Sequence, residues 1–168
     1  MKSAFSANGG DKLPPVTDLR DWFRGEAGRA VALREVAVAN ELLPDLFGYH
    51  MLQVGSPYPD SLIAASRIGH QIVMDRTALS GPASVLGRGD ALPFQSGAID
   101  VLVLPHGLEF ASNPQAVLRE VERVLIPEGY LLLFGFNPWS LYGAWRLAIG
   151  WRGSAPWHGL FLPLSRLK

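Results

Sequence analysis

The stretch His50 to Asp75, HMLQVGSPYPDSLIAASRIGHQIVMD, constrains this chain more than any other. Met51, Leu52 and Val54 form a short apolar run that stops at Gly55, and the turn SPYP leads into Asp60, whose carboxylate can accept from the free N–H groups of a first helical turn. The spacing predicts a helix from Asp60 to about Ile68, ended by Gly69, where a left-handed cap excludes a Cβ. His70 to Met74 returns to strand-forming residues, and Asp75 closes that strand. A strand-helix-strand unit of this length pairs its strands in parallel, and parallel sheets need helices on both faces, so the prediction is an α/β fold.

In such sheets ligands bind outside the carboxyl ends of the strands. Gly55 and Asp75, 20 residues apart, would face one crevice, where a carboxylate can accept hydrogen bonds from a ribose diol. The alternative is that Asp75 only ends a strand and starts a turn.

Composition bounds the rest. With 168 residues and 48% hydrophobic content the chain can bury one core, so a single domain is expected. Its 15 basic and 15 acidic residues give no global field that would recruit nucleic acid, and no nucleic-acid partner is expected. The charge is uneven, because no acidic residue follows Glu128 while Arg146, Arg152, Arg166 and Lys168 do. Absence of cysteine excludes disulfides, thiolate metal sites and thiol nucleophiles. MKSAFSANGGDK lacks the apolar core of a signal peptide, and no run reaches the ~18 apolar residues of a spanning helix, so a cytoplasmic location is expected. His50, His70 and His158 are scattered, and no metal site is expected. Neither G-x-S-x-G nor a P-loop occurs, which sets aside those hydrolase and nucleotide-triphosphate chemistries.

The remaining elements follow in order. Residues 1–16 hold Gly9, Gly10, Pro14 and Pro15 and read as a loose arm. Residues 17–45 read as two helices: a short one capped by Thr17 or Asp18 and running through Trp22 and Phe23, then one over Ala27 to Leu43 with Leu33, Val36, Ala37 and Leu43 near one face. Ser84 to Leu86 suggests a short third strand, and Ile99 to Leu104 reads as a central parallel strand because it is apolar but for Asp100. Asn113 caps a helix with Pro114 at its first position and a stripe of Val117, Val121 and Val124. Pro127 to Gly129 breaks it, and Tyr130 to Phe136 reads as another buried strand.

With these residues in place, Asp90-Ala91-Leu92-Pro93-Phe94, then IDVLVLPHGLEF, then NPQAVLREVERVLIPEGYLLLFGFN resemble the core of a class I S-adenosylmethionine-dependent methyltransferase, of the broad group that includes the ubiquinone and menaquinone biosynthesis enzymes. The similarity covers about residues 46–138. Its most specific part is the family's E-x-x-R-V-L-x-P-G-G pattern, met by Glu120, Arg123, Val124, Leu125, Pro127 and Gly129, with Glu128 in place of one glycine. The resemblance implies a doubly wound, mostly parallel Rossmann-like sheet and S-adenosylmethionine as cofactor. It places Gln53, Gly55 and Ser56 at the cofactor's amino-acid end, Asp75 and Arg76 at the ribose, Asp90 and Ala91 beside the adenine, and Leu104, Pro105 and His106 at the methyl region. For an acceptor that must lose a proton, His106 is the first candidate base, near-neutral in its ordinary pKa, and Glu109 the second; the alternative for His106 is a satisfied loop histidine or a pocket wall.

The sequence departs from the family's acidic-x-Gly-x-Gly-x-Gly motif, reading Gln53-Val54-Gly55-Ser56-Pro57-Tyr58-Pro59. Proline fixes φ and removes an N–H, so this loop cannot take glycine-only conformations at those two positions. That argues against a dinucleotide dehydrogenase, which needs glycines at its pyrophosphate, and leaves a catalytically silent binding or regulatory module on the same fold as the alternative to a methyltransferase. Residues 139–168 hold Trp139, Trp145, Trp151 and Trp157 with only cationic charges and read as a cap over a lipophilic, quinone-like small-molecule acceptor, with plain core packing and peripheral membrane contact as the alternatives. Members of the family usually add a C-terminal edge hairpin that is not seen here: either the chain is truncated, or the edge is missing by design, which would leave an apolar strand edge open and favour self-association.

Overall fold

A computed structural model describes residues 16–59, 61–77 and 84–136. The N-terminal part is a helical pair, α1 (Val16–Arg24) and α2 (Glu26–Leu42), ending in a 3-10 turn, Leu43–Asp45. The sheet comprises β1 (His50–Val54), β2 (His70–Asp75), β3 (Val85–Leu86), β4 (Ile99–Pro105) and β5 (Leu125–Phe134), with α3 (Pro114–Val124) between the last two. Its order is β3-β2-β1-β4-β5 and every pairing is parallel. The expected α/β, Rossmann-like architecture is therefore present.

Alternation along the strands builds two apolar layers. Met51, Val73, Val101 and Val103 point to one face, where Leu19, Phe23, Ala39 and Leu43 of the N-terminal elements cover them. Leu52, Val54, Met74, Leu102 and Leu104 point to the other, against Val117, Val121 and Val124 of α3. Burial of every β4 residue but Asp100 follows from this double cover. Asn113 accepts from Ala116 N at 3.0 Å and caps α3 as its sequence predicts.

Four expectations are corrected. No helix spans the described residues 61–68; Leu62–Ala65 is a turn, and the expected cap Asp60 lies outside the described residues. Side chains compete with helical hydrogen bonding there: Gln53 Oε1 accepts from Leu62 N at 3.0 Å and Ser66 Oγ from Ile68 N at 3.2 Å. On α2, Leu33 is 71% exposed and Ala37 also faces out, because the packed stripe is Gly28, Val31, Ala32, Glu35, Val36 and Ala39. β5 begins at Leu125 rather than Tyr130, and two steps on β4, Ile99 to Val101, face five on β5, Leu125 to Tyr130. It is also not a buried strand: it lies at the sheet edge among the described residues, with Tyr130 54% and Leu131 39% exposed. The expected caps Thr17 and Asp18, the arm over residues 1–15 and the aromatic segment 139–168 lie outside what is described, the first two as to their side chains.

No helix among the described residues is long and apolar enough to cross a membrane.

Candidate functional site

A cleft open to solvent lies at the carboxyl ends of β1, β2 and β4. Val54, Gly55 and Ser56 leave β1, Met74 to Arg76 end β2, Leu104 to Gly107 end β4, and Asn113 and Val117 belong to the start of α3. Gly55 has φ +94°, a conformation that side chains resist, and its N–H donates to Met74 O at 2.8 Å, so the chain turns sharply while still bonded to β2. That turn brings the backbone to the cleft wall.

Asp75 lines the same cleft, 3% exposed. Its Oδ2 accepts from Ser56 N at 2.8 Å and from Arg20 Nη2 at 2.6 Å, and its Oδ1 accepts from Arg76 N at 2.6 Å. Arg20 also donates from Nε to Ser56 O at 2.8 Å, so α1 is tied to both the carboxylate and the loop after β1. Arg20 carries no motif, and its only sequence signal is a cation next to Leu19 on the packed side of α1.

The two prolines do not fill the cleft. Pro57 is one of its walls, and Tyr58 turns inward to pack on Phe23, ring centroids 4.7 Å apart. The donor that matters, Ser56 N, precedes both prolines. Gln53 does not line the cleft, contrary to its expected cofactor role: fully buried, it donates from Nε2 to Gly55 O at 2.8 Å and takes Leu62 N on its oxygen, bracing the loop from behind. Ala91 is likewise not a lining residue; its N–H closes a turn onto Arg88 O at 3.1 Å.

The proposed catalytic pair comes together but not as a base. His106, at φ 53°, has a fully buried side chain turned into the layer under the N-terminal helices, between Phe136 at 4.4 Å and Phe23 at 5.2 Å. Its Nδ1 meets Glu109 Oε2 at 2.8 Å and its Nε2 meets Glu35 Oε1 at 3.2 Å. Burial pushes the imidazole pKa down, but hydrogen bonds to Glu109 and Glu35, and the charge of both, outweigh it and raise it to about 9. At neutral pH the ring is an imidazolium with both N–H groups donated, so it cannot accept a proton. Glu109 is not a lining residue and has both oxygens engaged, one by His106 and one by Phe136 N. Tyr58 completes the group by donating its hydroxyl to Glu35, and burial, then the Glu35 charge, keeps that phenol neutral far above its usual range. Glu35 escaped the sequence reading, although a carboxylate inside the packed stripe of α2 was its signal.

At the cleft's other end Asp90 forms a two-pronged pair with Arg88, at 2.9 and 2.7 Å, and the hydrogen bond from that guanidinium holds its carboxyl below the usual range. The loop carrying Asp90 is clamped by α3: Arg123 donates to Leu92 O and Phe94 O at 2.9 and 2.8 Å, while Glu120 accepts from Leu92 N at 2.7 Å. The E-x-x-R pair of the family pattern thus fixes the wall beside Asp90. Arg76, Leu104, Pro105 and Gly55 are all at the cleft as expected, and Leu19, Arg88, Phe110 and Ser112 join them unforeseen. His50 and His70 meet through their Nδ1 atoms at 2.7 Å at the opposite strand ends, but the described residues hold no cluster of three or more metal-ligand side chains.

Comparison with known proteins agrees with this geometry. A family described as a methyltransferase domain matches residues 62–133. The chain is 31% identical to the uncharacterized protein YafS of Escherichia coli K12 over 76% of its own length and 52% of that protein. It is 32% identical to the ubiquinone/menaquinone biosynthesis C-methyltransferase UbiE of Shewanella oneidensis over 42% of its length and 28% of that enzyme. It thus spans about half the length of the first of these relatives or less. In fold it is similar to a SAM-dependent methyltransferase of Thermotoga maritima, with a TM-score of 0.67, 19% identity, and coverage of 89% of this chain and 75% of that one. The chain is thus similar to methyltransferase domains over residues 62–133, and its sheet has the fold of a SAM-dependent methyltransferase.

Proposed function

We propose that this protein is an S-adenosylmethionine-dependent methyltransferase whose acceptor is a lipophilic small molecule. The observation that carries the reading is the joint placement of Gly55 and the buried carboxylate of Asp75 on one cleft at the strand ends. A buried acidic group beside a glycine turn suits a ribose, and Asp90, which also lines the cleft, would serve as acceptor for an exocyclic amino group. When bound, S-adenosylmethionine supplies an electrophilic methyl group on a sulfonium. Gly55, Ser56, Asp75 and Asp90 would hold it, with Leu104 and Pro105 along the methyl end. The apolar Leu19, Leu104 and Phe110 at the cleft and the similarity to UbiE support a lipophilic acceptor.

Since His106 and Glu109 are locked together, the chain's contribution is positioning and exclusion of water rather than proton removal by those two groups. The expected catalytic pair is here the brace for the loop at the end of β4.

Calorimetric titration with S-adenosylmethionine and S-adenosylhomocysteine tests the reading. Both should bind, and Asp75→Asn should weaken both by about tenfold, the worth of a hydrogen bond to a charged group. Absence of heat from either ligand at millimolar concentration rejects it.

A further inference from the structure

Resting on that nucleoside reading, we infer that Arg20 is a specificity-determining residue: it takes up part of the Asp75 carboxylate, so that the cleft reads one ribose hydroxyl and not both. An ionised carboxylate offers about four acceptor positions. Three on Asp75 are filled, by Arg20 Nη2 and Ser56 N on Oδ2 and by Arg76 N on Oδ1. A diol clasped through both hydroxyls needs two.

The three occupants are not equivalent. Ser56 N and Arg76 N are backbone donors fixed by the strand ends of β1 and β2, and neither can leave without distorting the sheet. Arg20 comes from another element, yet it is held twice, by Asp75 and by Ser56 O, with its side chain only 11% exposed. Breaking that hold would leave a largely buried guanidinium without its partner, which costs more than one exposed hydrogen bond returns. A second ribose hydroxyl gains less than this, so Arg20 stays and the single remaining position on Oδ1 does the reading.

The test compares adenosine with 2′-deoxyadenosine and 3′-deoxyadenosine by calorimetry or ligand-observed NMR on the parent and on Arg20→Met. On the parent, one deoxynucleoside should bind within about twofold of adenosine and the other about tenfold more weakly, since only one hydroxyl meets the charged acceptor. In Arg20→Met the freed position should make both deoxynucleosides weaker than adenosine, and adenosine itself tighter than on the parent. Equal penalties for the two deoxynucleosides on the parent would overturn the inference, as would an unchanged one-sided pattern in the variant. Arg20→Ala, which frees the same position with a smaller side chain, serves if the methionine variant does not fold. Failure of adenosine to bind either protein would instead reject the nucleoside reading, and this inference with it.

Discussion

At the scale of single residues, the two non-glycine positions with positive φ among the described residues tell different stories. His106, at φ 53°, is held there by its contacts to Glu35, Glu109 and the aromatic rings around it. Folded, it keeps its proton up to about pH 9, whereas unfolded it releases it near 6.5. Between these values the folded state binds more protons, so its contribution to stability is complete below pH 6.5 and is lost as pH rises through 9. Urea unfolding of the parent should show a fall of roughly 3 kcal/mol across that window, and His106→Gln should be flat there. Glu128, at φ 68°, is exposed and occupies a place where the family has glycine. A side chain costs ~1–2 kcal/mol in this conformation, partly offset by its stiffer unfolded chain, so Glu128→Gly should stabilise by about 0.5–1 kcal/mol in the same assay.

At the scale of elements, α3 serves the cleft through its polar side as well as the core through its valines. Arg123 and Glu120 together hold Leu92 and Phe94, and that loop carries Asp90. Arg123→Met should leave the sheet intact, speed amide exchange at Leu92 and weaken nucleoside binding; unchanged exchange at Leu92 would contradict the clamp. The sequence showed this element almost completely, because capping at Asn113 and a regular valine stripe are local signals. Residues 61–68 were misread for the opposite reason. Their apolar residues Leu62, Ile63 and Ile68 are buried as a helix would bury them, but Gln53, eight or more residues earlier in the chain, supplies the hydrogen bond that makes a turn the better solution. The site divides likewise: Gly55, Asp75 and Asp90 stood out at strand ends and in motifs, whereas Arg20, Glu35 and Tyr58 act through partners 23 to 71 positions away.

At the scale of the molecule, the N-terminal helices and the sheet are joined by one aromatic layer. Phe23, 1% exposed, touches Tyr58, His106 and Trp22 together. Phe23→Ala should therefore cost ~3–5 kcal/mol, read as a lower urea midpoint, because the surrounding rings are themselves pinned and cannot collapse into the space. A loss under 1 kcal/mol would mean that the helical pair contributes little to holding the cleft.

The strand order carries a consequence for synthesis. β1 sits between β2 and β4, and Met51 is paired with Val101, 50 positions later. At ~5–20 residues per second, a ribosome needs roughly 3 to 10 seconds to supply that second neighbour. Throughout that interval the helical pair is complete while Val101 and Val103 of the layer it covers are still unmade, so the nascent chain carries a bare, sticky surface that a chaperone would recognise.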